Sequence, residues 1–237
     1  MLKTLIKTIV QLLGYSINKI NKPIVKQDYD KDYFIKKLSE NYKKNNIVKL
    51  HFGCGPRILK TWINIDLTYC HYKKYLKSYT NKYYPKNIRG SKDDFYEIDI
   101  TKTSLPLPNN SVDVIFHEDF MEHLSQKGQV LFLSETLRVL KSGSIHRVNT
   151  PNLLTSMDND SDFTKGFNGV FIHEWDKHRH INILTPKILE EMALTVGYSK
   201  VIFTTRDNST SKYIPLEYRP DPISRSDNGN IFADLVK

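Results

Sequence analysis

Residues 49–66 read KLHFGCGPRILKTWINID, and this stretch decides the fold. Val48, Leu50 and Phe52 alternate with polar residues, which is the period of a strand, and Gly53 closes it. Trp62 to Asp66 reads as a second short strand. Between them, Gly53 and Gly55 flank Cys54. Glycines directly after a strand let a ligand come close to the backbone with no side chain in the way. In open α/β sheets ligands sit at the carboxyl ends of strands, which is where this loop falls. An acid at the end of the next strand can hydrogen-bond the two hydroxyls of a ribose, and Asp66 is placed for that. A third strand, FYEIDI at 95–100, carries Asp99. The combination predicts a nucleoside-type cofactor site.

The spacing excludes two neighbouring chemistries. A dinucleotide fingerprint needs a third glycine where Ile58 stands, and an acid further along the chain than Asp66. A phosphate-gripping loop needs Gly-Lys-Ser or Gly-Lys-Thr after its glycines, and neither occurs.

Outward from this stretch the elements alternate. SVDVIFH at 111–117 reads as a fourth strand, introduced by Pro108, Asn109 and Asn110. Residues 119–124 read as a helical turn. QKGQVLFLSETLRVL reads as a helix ending at Ser142-Gly143, with the glycine as C-cap. SIHRVNTP is the fifth strand, and 152–184 is expected to be a polar loop. TPKILEEMALTVG carries strong helix punctuation: Thr185 as N-cap, Pro186 in the first turn and Gly197 after the last. KVIFTT and NIFADLVK supply the last two strands, expected to pair antiparallel at one edge. Strands alternating with helices predict a doubly wound, mostly parallel α/β sheet.

Upstream, DYDKDYFIKKLSENYKKNN reads as a helix with Phe34, Leu38 and Tyr42 on one face. Residues 2–20 read as a basic amphipathic helix, ended by Pro23. It is suited to lie on a membrane surface, and equally to pack on its own domain or a second subunit. Its apolar run is interrupted by Lys7 and followed by no small-residue cleavage site, so it is not read as a signal peptide. Residues 1–46 are thus taken as an N-terminal helical extension and 47–237 as one domain.

The 237 residues carry 39% apolar and 26% charged side chains, as a single globular core requires. Two cysteines, Cys54 and Cys70, form no zinc or disulfide pattern, which points to a reducing, cytoplasmic setting. The net charge of +9 fits nucleic acid, an anionic membrane or an acidic substrate, but Lys, Asn, Tyr and Ile are all abundant, so charge decides little.

The stretches LHFGCG…WINIDL, EIDITKTSLPLPNNSVDVIFHEDFMEHLS, SETLRVLKSGSIHRVNTPNL and HEWDKHRHINILTPKILEEMALTVGYSKV together resemble class I S-adenosylmethionine-dependent methyltransferases. The resemblance is to the type 11-like group associated with sugar and polysaccharide modification. It implies a Rossmann-like, seven-stranded sheet with an antiparallel last strand, and S-adenosylmethionine as cofactor. It implies further that Gly53, Cys54 and Gly55 flank the methionine portion, that Asp66 binds the ribose, that Asp99 and Ile100 lie beside the adenine, and that Glu118 lines the pocket near the transferable methyl. The usual Pro-Gly-Gly after RVLK is Ser142-Gly143-Ser144 here, and Asn152 replaces an aspartate.

A sulfonium methyl is already a good electrophile, so the protein must align an acceptor and take its proton. Candidates fall in HEDFMEH, which holds Glu118, Asp119, Glu122 and His123, and in HEWDKHRH, which holds His173, Asp176, His178 and His180. The Glu-His pair of the first is read as partly structural. His178 and His180 are the candidate base or acceptor contacts. Three histidines and two acids within eight residues invite a metal, but such spacing is unspecific without a further distant ligand, so no metal is expected. The Tyr- and Lys-rich stretch 69–90 is the one feature favouring nucleic acid. The expected activity is methylation of a small-molecule or saccharide acceptor at oxygen. An RNA methyltransferase, or a fold retained only for binding, are the alternatives.

Overall fold

A computed structural model describes residues 31–42, 46–71, 81–160, 171–220 and 227–237. The expected helix at 2–20 and residues 72–80 of the Tyr-Lys stretch lie outside the described residues, as does the side chain of His173. Among the described residues no helix is long and apolar enough to cross a membrane.

The elements are α1 (Lys31–Tyr42), β1 (Lys49–Phe52), β2 (Ile63–Asp66), β3 (Phe95–Glu97), β4 (Val112–Glu118), α2 (Gln126–Val139), β5 (Leu140–Pro151), α3 (Leu153–Asp160), α4 (Pro186–Val196), β6 (Lys200–Phe203) and β7 (Asn230–Val236). They build one seven-stranded sheet in the order β3-β2-β1-β4-β5-β7-β6. Pairs from β3 to β5 are parallel. Strand β7 runs antiparallel to both β5 and β6. The expected sheet, with its antiparallel last strand, is therefore the observed one.

Strand period decides which side chain meets which layer. In β4, Val114 and Phe116 join Leu59, Trp62 and Tyr84 on one face, whereas Ile115 faces Leu50, Phe132 of α2 and Leu189 of α4 on the other. Leu38 of α1 is fully buried in this second cluster, so the helix assigned above to the N-terminal extension contributes to the core. Imidazoles are buried in both layers. His51 bonds Asn64 at 3.0 Å. His117, His146 and the Tyr198 hydroxyl form a chain of 3.0 and 3.1 Å contacts, continued to Thr136 at 3.0 Å. Burial lowers His51 and His146 to about 3, so both rings are neutral.

Punctuation works as expected in α4: Thr185 Oγ1 accepts from Ile188 N at 3.2 Å, and Gly197 takes φ +120°. Two expectations need correction. Helix α2 ends at Val139, not at Ser142-Gly143, and the chain passes directly into β5. Val139 and Leu140 are fully buried, so the turn cannot wait for the glycine. Gly143, at φ +76°, instead donates its N–H to the Lys237 carbonyl (2.9 Å) in the sheet. The polar region 152–184 also contains helix α3, begun by Asn152 Oδ1 accepting from Leu154 N at 3.1 Å, and a π-helical turn at Phe171–Lys177.

Candidate cofactor site

The glycine loop and the aspartate that opened the sequence reading meet in the structure. Gly53 and Gly55 take φ +57° and +48°, values that L side chains resist. The loop then folds back through Arg57 N donating to Cys54 O (2.9 Å), and Gly55 donates its N–H to Asp66 Oδ2 at 2.8 Å. Asp66 Oδ1 accepts from Leu67 N at 2.6 Å. Burial pushes the Asp66 carboxyl up, against these two amides, which favour its charge.

Beside Asp66 opens a cavity of about 320 Å³, within the range of roughly 300–1,000 Å³ usual for small-molecule sites. Its wall includes Phe52, Asp66, Asp99, Ile100, Phe120 and His123, which lie at or beyond the carboxyl ends of β1 to β4. Asp99 Oδ1 accepts from the Thr101 amide (3.1 Å) and hydroxyl (2.6 Å), and Oδ2 pairs with Lys102 at 2.8 Å. Burial acts to raise its pKa, but those donors prevail and hold it below the usual carboxylate value.

Phe120 was not foreseen. Asp119, at φ +45°, turns the chain after β4, and Phe120 then lies against the glycine loop. A Cβ added at Gly53 would sit 2.6 Å from Phe120 Cδ2 and 2.8 Å from its Cβ. At Gly55 the same construction meets nothing within 4 Å. Gly53 is thus fixed by protein packing, whereas Gly55 borders open space.

Of the implied cofactor set, Asp66, Asp99 and Ile100 line this wall and Gly53, Cys54, Gly55 and Glu118 do not; the side chains of Cys54 and Glu118 are engaged elsewhere. The Cys54 side chain packs with Ile58 and Phe95, and burial raises its thiol well above the usual value. Glu118, nearly buried, uses both oxygens: Oε2 pairs with the buried Arg57, and Oε1 accepts from Arg219 N at 3.0 Å. Arg57 also donates to Tyr83 O (3.0 Å) and to Leu216 O. Glu118 therefore holds the base of the glycine loop to the tip of β4 and the segment before β7.

The three candidate histidines come together. The rings of His123 and His180 meet edge-on at 5.0 Å, and His178 stacks on His180 at 5.5 Å. His178 is exposed and His180 buried, and among the three it is His123 that the cavity wall includes. Burial, then neighbouring His180, lowers His123. His180 Nδ1 bonds Glu174 Oε2 at 2.6 Å, and Ser156 donates to Glu174 Oε1 at 2.5 Å. Glu122, fully buried, accepts from Thr150 Oγ1 at 2.9 Å. These carboxylates were legible only as members of their motifs, because their partners lie far away in the chain.

Residues 50–148 match the profile of a methyltransferase domain. A probable S-adenosylmethionine-dependent methyltransferase of Mycolicibacterium smegmatis is 47% identical over 51 residues, 22% of this chain and 19% of its own length, so the chain matches about a fifth of that relative. Among solved structures, an S-adenosylmethionine-dependent methyltransferase from Archaeoglobus fulgidus superposes with a TM-score of 0.51 at 16% identity, covering 87% of this chain and 94% of that one. One from Mesorhizobium loti gives 0.47 at 9% identity, over 85% and 98%. The matched stretch runs from β1 to the middle of β5 and carries the glycine loop and, Ile181 apart, the residues that line the cavity. At 16% identity the likeness to the Archaeoglobus fulgidus structure is one of fold.

Proposed function

We propose that the protein transfers a methyl group from S-adenosylmethionine to a hydroxyl of a small-molecule or saccharide acceptor. The observation that carries this reading is the Gly55 N–H to Asp66 contact at the edge of the 320 Å³ cavity, because it joins the loop and the acid that a nucleoside ligand needs. The residues fit the cofactor. Open space at Gly55 leaves room for a methionine portion, and Asp66, Asp99 and Ile100 line the cavity in which ribose and adenine would lie. When bound, the cofactor supplies an electrophilic sulfonium methyl. The chain's own work is to align the acceptor and take its proton, and the candidates are His123 on the wall with His178 and His180 behind it.

The preference for oxygen and for saccharides rests on the sequence resemblance alone, which is an analogy. The same reading assigns the catalytic unit to 47–237, a reducing cytoplasmic setting, and residues 2–20 as the candidate contact with a membrane or a second protein surface.

The test is calorimetric titration of the full chain with S-adenosylhomocysteine, beside an Asp66→Ala variant. Binding that weakens at least tenfold in the variant supports the site. A folded wild type that takes up no ligand overturns the reading and favours a domain kept for binding or assembly. Salt-sensitive binding of generic RNA would move the acceptor class to RNA.

A further inference from the structure

The histidine cluster holds a feature that methyl transfer as proposed above does not use. Glu122 is fully buried, and among the described residues its Oε1 has no hydrogen-bond partner, although Oε2 is satisfied by Thr150. A buried carboxylate oxygen without a partner costs free energy, so this atom is available to a ligand. His180 Nε2 lies 3.8 Å away, too far for a hydrogen bond. In the neutral tautomer that donates Nδ1–H to Glu174, Nε2 presents a lone pair toward Glu122. Two acceptors therefore face one another across a gap. His123 adds a third, and the ligand atoms of Glu122, His123 and His180 all lie within 4.8 Å of one another.

We infer that Glu122, His123 and His180 bind a divalent first-row transition-metal ion. Two imidazoles and one carboxylate, with further positions open, form a donor set such ions take, at bonds of about 2.0–2.2 Å. Closing 3.8–4.8 Å to that geometry needs a small rotation, which the exposed His123 ring can supply. Glu174 completes the arrangement: a carboxylate on the far nitrogen of a ligating histidine fixes its tautomer and raises its basicity, and Ser156 fixes Glu174 in turn. The sequence offered three histidines in one loop without a distant ligand. The fold brings Glu122 and His123, from the turn after β4, to the last of them.

His123 also walls the cofactor cavity, so the open positions adjoin it; with His123 and His180 engaged as ligands, His178 is the remaining candidate base, and an acceptor oxygen held at the metal would be polarised beside the methyl donor. That role rests on the proposed methyl transfer, whereas metal binding does not.

The experiment treats the full chain with a chelator, removes the chelator and titrates with Co2+ alone, followed by visible absorption and calorimetry. One Co2+ per chain is expected, with absorption bands showing nitrogen ligation. Affinity should fall at least tenfold in Glu122→Gln, which keeps the Thr150 contact, and in His180→Gln. If either buried variant fails to fold, His123→Gln on the exposed side chain gives the same reading. Co2+ that does not bind, or binds equally well to wild type and variants, overturns the inference. S-adenosylhomocysteine titrated into the same wild-type sample separates the two failures: heat without Co2+ binding sinks only the metal site, and Co2+ binding without heat sinks only the cofactor reading.

Discussion

Gly53 and Gly55 are two residues apart and both left-handed, yet their substitution by alanine should fail in different ways. At each position the backbone alone costs an alanine about 1–2 kcal/mol. At Gly53 the new Cβ also lands 2.6 Å from Phe120 Cδ2 and 2.8 Å from Phe120 Cβ. The second atom is next to the backbone, so the ring cannot simply swing away, and overpacking of this kind adds about 1–3 kcal/mol. Gly53→Ala should therefore lose about 2–5 kcal/mol in urea unfolding. Gly55→Ala, with nothing within 4 Å, should lose only the backbone cost. Ligand binding should reverse the order of surprise. The space at Gly55 is where the cofactor is proposed to lie, so this nearly stable variant should bind S-adenosylhomocysteine at least tenfold more weakly than wild type. Equal stability losses would refute the packing argument. Unchanged affinity in Gly55→Ala would refute the placing of the ligand against the loop.

Two further perturbations test the framework. His51 and His146, lowered to about 3 by burial, remain neutral in the folded chain while the unfolded chain protonates near 6.5. Between those values the unfolded state binds more protons, so stability is present above about 6.5 and drains as pH falls toward 3. From pH 7 to pH 5 the loss should be about 4 kcal/mol, roughly 2 for each ring, read from urea midpoints; a flat profile over that range would mean the rings are not buried neutral. Arg147 is fully buried between Glu217 (2.7 Å) and Asp234 (3.2 Å). Arg147→Met strands two carboxylates and should cost about 3–5 kcal/mol, a melting shift of roughly 6–20 °C by calorimetry. A shift of a degree or two would show that the cluster is solvated.

What the sequence made legible was local. The β1 glycine loop, the strand ending in Asp66 and the caps of α4 each declare themselves within a few residues, because turn geometry and capping act over that range. Helix α3, LLTSMDND, was missed because an Asp- and Asn-rich segment has little apolar period, and only the Asn152 cap marks it. The start of β5 was misplaced because Gly143 looks like a helix stop until Lys237 is seen across from it. Glu118 and Glu122 stand in one short motif, but what they do depends on partners as remote as Arg57, Arg219, Thr150 and His180. Such pairings are tertiary and leave no period to read.

The position of β7 has a consequence for how the chain reaches this fold. Strand β6 has one neighbour, β7, and β5 has β7 on its outer side. Until residues 230–236 are in place, β6 therefore has nothing to pair with and β5 presents an open edge carrying the buried Ile145 and Val148. An unpaired apolar edge is a template for another chain, and it persists longest when its partner comes last in sequence. The ladder between β5 and β7 closes over a long separation, which makes it slow as well. A chain interrupted before residue 230 would thus be prone to aggregate, although its glycine loop and Asp66 were already made. Insertion of β7 is the step on which soluble yield depends.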